Sequence, residues 1–200
     1  MRHNKDQGAA KMMKSIMITL SLMTSFSGLA MAETKTYSIE NQKFSMDVPA
    51  GWRDYKDLAG SPLTFFGPES SDGPRTVVLI APTGKEDKKN FFSAVKTHSD
   101  EYKKGRENWL KGSLGEAISF DPSKEEKWAG IERALEFGYN YEVPSGKFYE
   151  RSVYILCGGN KVFYIKSLVP EAFQNDHNPL IEQTIKSLKC EKTSVKTASN

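Results

Sequence analysis

The stretch that decides the fold runs from Ile131 to Pro170 and reads IERALEFGYNYEVPSGKFYERSVYILCGGNKVFYIKSLVP. Ile131, Arg133, Leu135, Phe137, Tyr139 and Tyr141 alternate with Glu132, Ala134, Glu136, Gly138, Asn140 and Glu142. A period of two belongs to a strand, because successive side chains leave the pleated backbone on opposite sides. It predicts a long antiparallel strand over Ile131–Val143 with one wet face. Pro144-Ser145-Gly146-Lys147 reads as a hairpin turn and Phe148–Cys157 as the returning strand. Gly158-Gly159-Asn160 reads as a second turn, after which Val162–Leu168 completes a three-strand meander.

Upstream of the meander the pattern changes twice. Thr36–Ile39 and Lys43–Val48 read as two short strands with a turn at Asn41-Gln42, and Pro49-Ala50-Gly51-Trp52 stops the second. Leu63–Phe66 is a further strand. Arg75–Ala81 (RTVVLIA) is a continuous apolar run and predicts a central strand buried on both faces. From Asp87 to Leu110 the spacing is helical, with Phe91, Phe92, Val95, Tyr102 and Trp109 on one face and Gly105 as a weak point. Gly115–Phe120 returns to a strand, closed by Asp121-Pro122. Downstream, Asn178 reads as an N-cap with Pro179 in the first turn, and Leu180, Ile181, Ile185 and Leu188 form the buried stripe of a closing helix. Clustered antiparallel strands with separate helices define an α+β domain, an antiparallel sheet flanked by helices.

The opening FSMDVPAGW (Phe44–Trp52), the amphipathic helix, ERALEFGYNYEV, GNKVFYIKSLVP and the closing helix come in an order that resembles the PsbP-like / Mog-type α/β/α sandwich superfamily, including exported bacterial DcrB-like proteins. The likeness spans most of residues 35–190. It lies in element order and a loose strand–Pro–x–Gly–Trp signature rather than in a catalytic motif. It implies a sheet between helices and a binding or accessory role. The chain lacks the lipid-anchor cysteine that some relatives carry at the signal cleavage site, and it offers no family ligand motif to place on particular residues.

The N-terminus reads as a secretory leader. Arg2, Lys5, Lys11 and Lys14 precede the uncharged SIMITLSLMTSFSGL (Ser15–Leu29), and Ala30-Met31-Ala32 supplies an A-x-A site for cleavage between Ala32 and Glu33. Met12 or Met13 would serve as a start as well as Met1. The organisation expected is a signal peptide over 1–32, one domain over 33–190 and a loose polar tail over 191–200. Removing the leader takes four of the 28 basic residues and one of the 25 acidic ones, leaving a mature chain with 24 of each. A nucleic-acid partner needs a basic excess or stripe, so none is expected. No further stretch is long and apolar enough to span a bilayer. The destination is the periplasm or the exterior, where Cys157 and Cys190 can oxidise. If the closing helix packs antiparallel on the last strand, Cys190 returns to the turn that holds Cys157, and the two form a disulfide.

Chemistry is sparsely signalled. His98 lies near the apolar face of the first helix, and His177 sits between Asp176 and Asn178. There is no H-E-x-x-H or C-x-x-C, and a zinc site from Cys157, Cys190 and His177 lacks any standard ligand pair. Around Ser113 the first glycine of a G-x-S-x-G elbow is one place out. No cofactor, metal or catalytic residue is assigned. Most of the aromatic residues belong to the core; Tyr139 and Tyr141, near the hairpin end, with Tyr149 on the return strand, are the candidates for an exposed binding face instead. The leading expectation is an exported, non-enzymatic binding module that contacts another envelope protein, its oligomeric state undetermined. The competing readings are a hydrolase with an unsignalled carboxylate or Ser site and a carrier of a small apolar ligand.

Overall fold

The meander forms as three long antiparallel strands, β8 (Ile131–Val143), β9 (Gly146–Cys157) and β10 (Lys161–Pro170). The computed structural model describes residues 32–69, 73–86, 92, 95–157 and 161–191. The leader, the Gly158-Gly159-Asn160 turn and the tail beyond residue 191 lie outside the described residues. Pairing of Val143 with Gly146 leaves only Pro144-Ser145 to turn between β8 and β9. Register then stacks side chains in rows across the sheet: Tyr141, Phe148 and Pro170; Tyr139, Glu150 and Leu168; Phe137, Ser152 and Lys166; Leu135, Tyr154 and Tyr164.

Five more strands extend the sheet. These are β3 (Arg53–Leu58), β4 (Ser61–Phe66), β5 (Val77–Glu86), β6 (Glu116–Phe120) and β7 (Lys124–Trp128). The order is β3-β4-β5-β10-β9-β8-β6, with β7 also paired to β8. β3 and β7, rich in charge, carried no strand signal; each is an edge element held by its neighbour's hydrogen bonds. A second sheet holds the hairpin β1 (Glu33–Ile39) and β2 (Gln42–Val48), with the two-residue β11 (Lys189–Cys190) on β2. The hairpin turns at Glu40-Asn41, one residue before the expected place, with both residues at positive φ (47° and 65°). Such primed turns match the twist of paired strands.

The helices lie on opposite faces of the large sheet. α1 (Val95–Gly112) covers the face of Leu135, Phe137, Tyr139 and Tyr141, with Leu110 buried among Tyr139, Tyr141 and Phe148. α2 (Gln174–Ser187) and the small sheet cover the other, where Ile181, Ile185 and Leu188 join Phe44, Met46, Ile80, Val153, Ile155 and Ile165. The even-numbered face of β8 is therefore not uniformly wet: Ala134 is buried and Glu136 pairs with Arg151. α2 begins at Gln174, after a 3-10 turn at Glu171–Phe173, so Asn178 is not its cap and Pro179 lies inside it. Pro179 removes the N–H that would bond the Asn175 carbonyl. Both residues are exposed, while Ile181 and Ile185 are buried. Leu180, expected in the buried stripe, is exposed.

Cys157 and Cys190 are joined by a disulfide with Cα atoms 5.5 Å apart. β11 carries Cys190 onto β2, where it pairs with Phe44, and the cross-link ties the small sheet to the end of β9. Glu33 pairs with Val48, so the first strand starts at the expected cleavage point.

Candidate functional site

On β9 the side chains Phe148, Glu150, Ser152, Tyr154 and Leu156 point towards the α1 face. One of them is an acid. The Glu150 side chain is only 2% exposed. Arg106 of α1 donates from Nη1 to its Oε1 at 3.1 Å, and the Tyr102 hydroxyl reaches the same oxygen at 3.5 Å. Lys166 of β10 meets Oε2 at 2.7 Å, and the Tyr139 hydroxyl donates to it at 3.3 Å. Burial, with the Glu150 charge next, pushes the Tyr102 and Tyr139 phenols far up, so they remain neutral donors. A carboxylate whose oxygens are this fully engaged anchors structure. The cluster carries two cations against one anion, a local excess of one positive charge.

Beside this cluster a groove opens between α1 and the β5 end that carries Pro82 and Thr83. α1 packs on β6 and β8 and reaches β9 through Arg106 and Glu150. The expectation that Arg75–Ala81 is buried on both faces fails: Val78 and Ile80 are buried, while Val77, Leu79 and Ala81 on the alternate face are half-buried. The groove has a volume of about 460 Å³. Its floor is Phe137, Tyr154 and Tyr164, its far wall Pro82 and Thr83, and its near wall the α1 stripe His98, Glu101, Tyr102, Gly105 and Arg106. Tyr102 stacks on Phe137 at 4.7 Å between centroids, and Tyr154 lies 5.2 Å from Tyr164.

A second feature sits at the end of α1. Ser113 N–H bonds the Trp109 and Leu110 carbonyls and Gly115 N–H bonds that of Leu110, closing the helix. Ser113 is thus part of a helix cap. Leu114, between these two residues, adopts φ 54° and is 84% exposed. Trp109 and Ile118 are also exposed, and Trp109 leans edge-on against Tyr141.

The candidate face of Tyr139, Tyr141 and Tyr149 is not a surface. Tyr139 and Tyr141 are 0% and 3% exposed because α1 packs over them. Tyr149 pairs with Asn140, in the alternate register, so it leaves the opposite side of the sheet, where its hydroxyl bonds Asp121 at 2.7 Å. A Cβ at Gly138 would strike both partners of that bond. His177 stacks on Phe173, meets Trp52 edge-on, and places Nδ1 2.7 Å from the Thr76 hydroxyl, apart from the disulfide. Among the described residues no group of three or more His, Cys, Asp or Glu is placed to hold a metal, and no helix is long and apolar enough to cross a membrane. Sequence reasoning passed over Glu150, Arg106 and Lys166. The available signal was an acid and a lysine each falling in register with an apolar strand face.

No family model matches the chain, and no curated protein matches it in sequence. Solved structures do match in shape. Cyanobacterial PsbP (CyanoP) from Synechocystis sp. PCC 6803 aligns at 14% identity and a TM-score of 0.55, over 84% of this chain and 99% of that one. LpqN, involved in cell envelope biogenesis of Mycobacterium tuberculosis, aligns at 10% identity and a TM-score of 0.56, over 79% and 90%. The chain has the PsbP-like fold. The Ran-binding protein Mog1p of Saccharomyces cerevisiae aligns at 13% identity and a TM-score of 0.47, over 82% and 98%. At these identities the PsbP-like likeness extends to the arrangement of sheets and helices, and side-chain roles rest on this chain's own geometry.

Proposed function

We propose that this PsbP-like protein is an exported accessory module of the periplasm or cell envelope that contacts another protein through the corner where α1 meets β6. Leu114 carries the reading. A branched residue in the left-handed region is strained, and one that is 84% exposed gains almost nothing from burial. Glycine is the usual occupant of such a helix terminus. A leucine there, with Trp109 and Ile118 exposed in the same ten-residue span, suits a surface that a partner covers. Export is supported by the leader, by the A-x-A site directly before β1 and by a disulfide suited to an oxidising compartment. CyanoP and LpqN share the fold, and LpqN's association with the cell envelope is in keeping with an accessory role there.

The test is a photo-crosslinker at position 118 of the full chain expressed with its leader. A discrete adduct is expected in the envelope fraction. Leu114→Gly should melt no lower than wild type and should weaken the adduct several-fold. An adduct unaffected by Leu114→Gly and by Trp109→Ala, or no adduct at all, would refute the contact. Intact mass of the recovered protein should place its N-terminus at Glu33; a species retaining Met12–Ala32 would refute cleavage.

A further inference from the structure

We propose that the groove beneath α1 is a binding site for a small organic anion with a flat, apolar body. Three independent features converge on it. The first is size and lining. About 460 Å³ falls within the range of small-molecule sites, and the half-buried Tyr154 and Tyr164 on the floor offer ring surface to a flat body, while Phe137 is already covered by Tyr102.

The second is charge. Arg106 lines the groove and spends Nη1 on Glu150 while its side chain stays 28% exposed. Lys166 binds the other Glu150 oxygen, so the one buried carboxylate neutralises only one of two cations. The groove's other titratable groups are His98, Glu101 and the phenols Tyr102, Tyr154 and Tyr164. All three phenols are pushed up by burial and stay neutral. Glu101 is 71% exposed at the rim, 3.6 Å from His98 Nδ1, where water and salt screen it. The inner end of the groove therefore favours a negative group, with the guanidinium presenting N–H donors to it.

The third is Gly105. It sits inside an 18-residue helix, where glycine weakens the helix relative to alanine. No atom lies within 4 Å of where its Cβ would stand, so packing does not require it. It lines the groove one residue before Arg106. A side chain there would project into the space that a flat ligand would use.

The probe is 1-anilinonaphthalene-8-sulfonate, with N-phenyl-1-naphthylamine as its uncharged counterpart, titrated by fluorescence into the mature disulfide-bonded protein. Saturable one-to-one binding of the sulfonate is expected, at least tenfold tighter than that of the neutral amine. Gly105→Leu should melt at or above the wild-type temperature and abolish binding. Arg106→Met should weaken the sulfonate at least tenfold and leave the amine unchanged. The proposal is overturned if the sulfonate does not saturate, or if the neutral amine binds equally well. It is overturned as well if folded Gly105→Leu binds like wild type.

Discussion

Replacing Cys190 by serine measures what the cross-link contributes. Cys157 is buried at the end of β9 and Cys190 is half-buried on β11, 33 residues later. The loop between them contains β10 and α2, the central strand and the closing helix. In the chain-entropy account, closing a loop of that length lowers the entropy of the unfolded chain by about 12 cal/mol/K, roughly 3.7 kcal/mol at 25 °C. Packing losses in Cys190→Ser are small, because the new hydroxyl sits where water can reach it and Cys157 keeps its place in the core. For a domain of this size each kcal/mol moves Tm by about 2–4 °C, so the expected fall is roughly 7–15 °C. Calorimetry with and without dithiothreitol separates the bond from the side chain: reduced wild type should melt where Cys190→Ser melts, and reductant should not move the variant. In urea the unlinked forms should show a steeper transition, because their denatured chains expose more surface. A variant melting within about 2 °C of wild type, or a fully reduced wild type with unchanged Tm, would refute the loop-entropy reasoning.

Three further outcomes follow from the same structure. Gly105→Ala should stabilise the mature protein by about 1 kcal/mol, raising Tm by about 2–4 °C; a fall would show that the helix needs glycine for its backbone. Tyr141→Ala removes a ring stacked between Tyr139 and Phe148 at 5.0 and 5.6 Å and should cost about 3–5 kcal/mol in urea denaturation, whereas a loss under about 1 kcal/mol would contradict its place in the core. Burial holds the His177 imidazole below its ordinary value of 6.5, against the opposing charge of Asp176. The unfolded chain then takes up the proton first, so the contribution of His177 is full above pH 6.5 and is lost as pH falls towards the folded value. His177→Asn should flatten the decline of Tm below that pH, and an unchanged slope would assign the decline to other groups.

Much of the fold was legible as local pattern. The alternation from Ile131 to Val143, the turn at Pro144-Ser145 and the return through Cys157 set strand identity, and strand identity sets which residues share a side. The pairing of Cys157 with Cys190 followed from strand and helix lengths once the closing helix is taken to pack antiparallel on the last strand in an oxidising compartment. Local pattern could not say what covers each side. Tyr139 and Tyr141 stood as candidates for an exposed face against the core reading of most aromatics until α1 is laid across them, and Arg75–Ala81 read as fully buried where one face is only half-buried. β11 is two residues long and exists only because β2 offers it an open edge. The meeting of Glu150, Arg106 and Lys166, like the groove beside it, joins three elements distant in the chain. Such a site depends on how one helix is seated on the sheet, and that seating comes from the summed packing of Tyr102 and Leu110 against rings on β8 and β9, a long-range property that no run of neighbouring residues encodes.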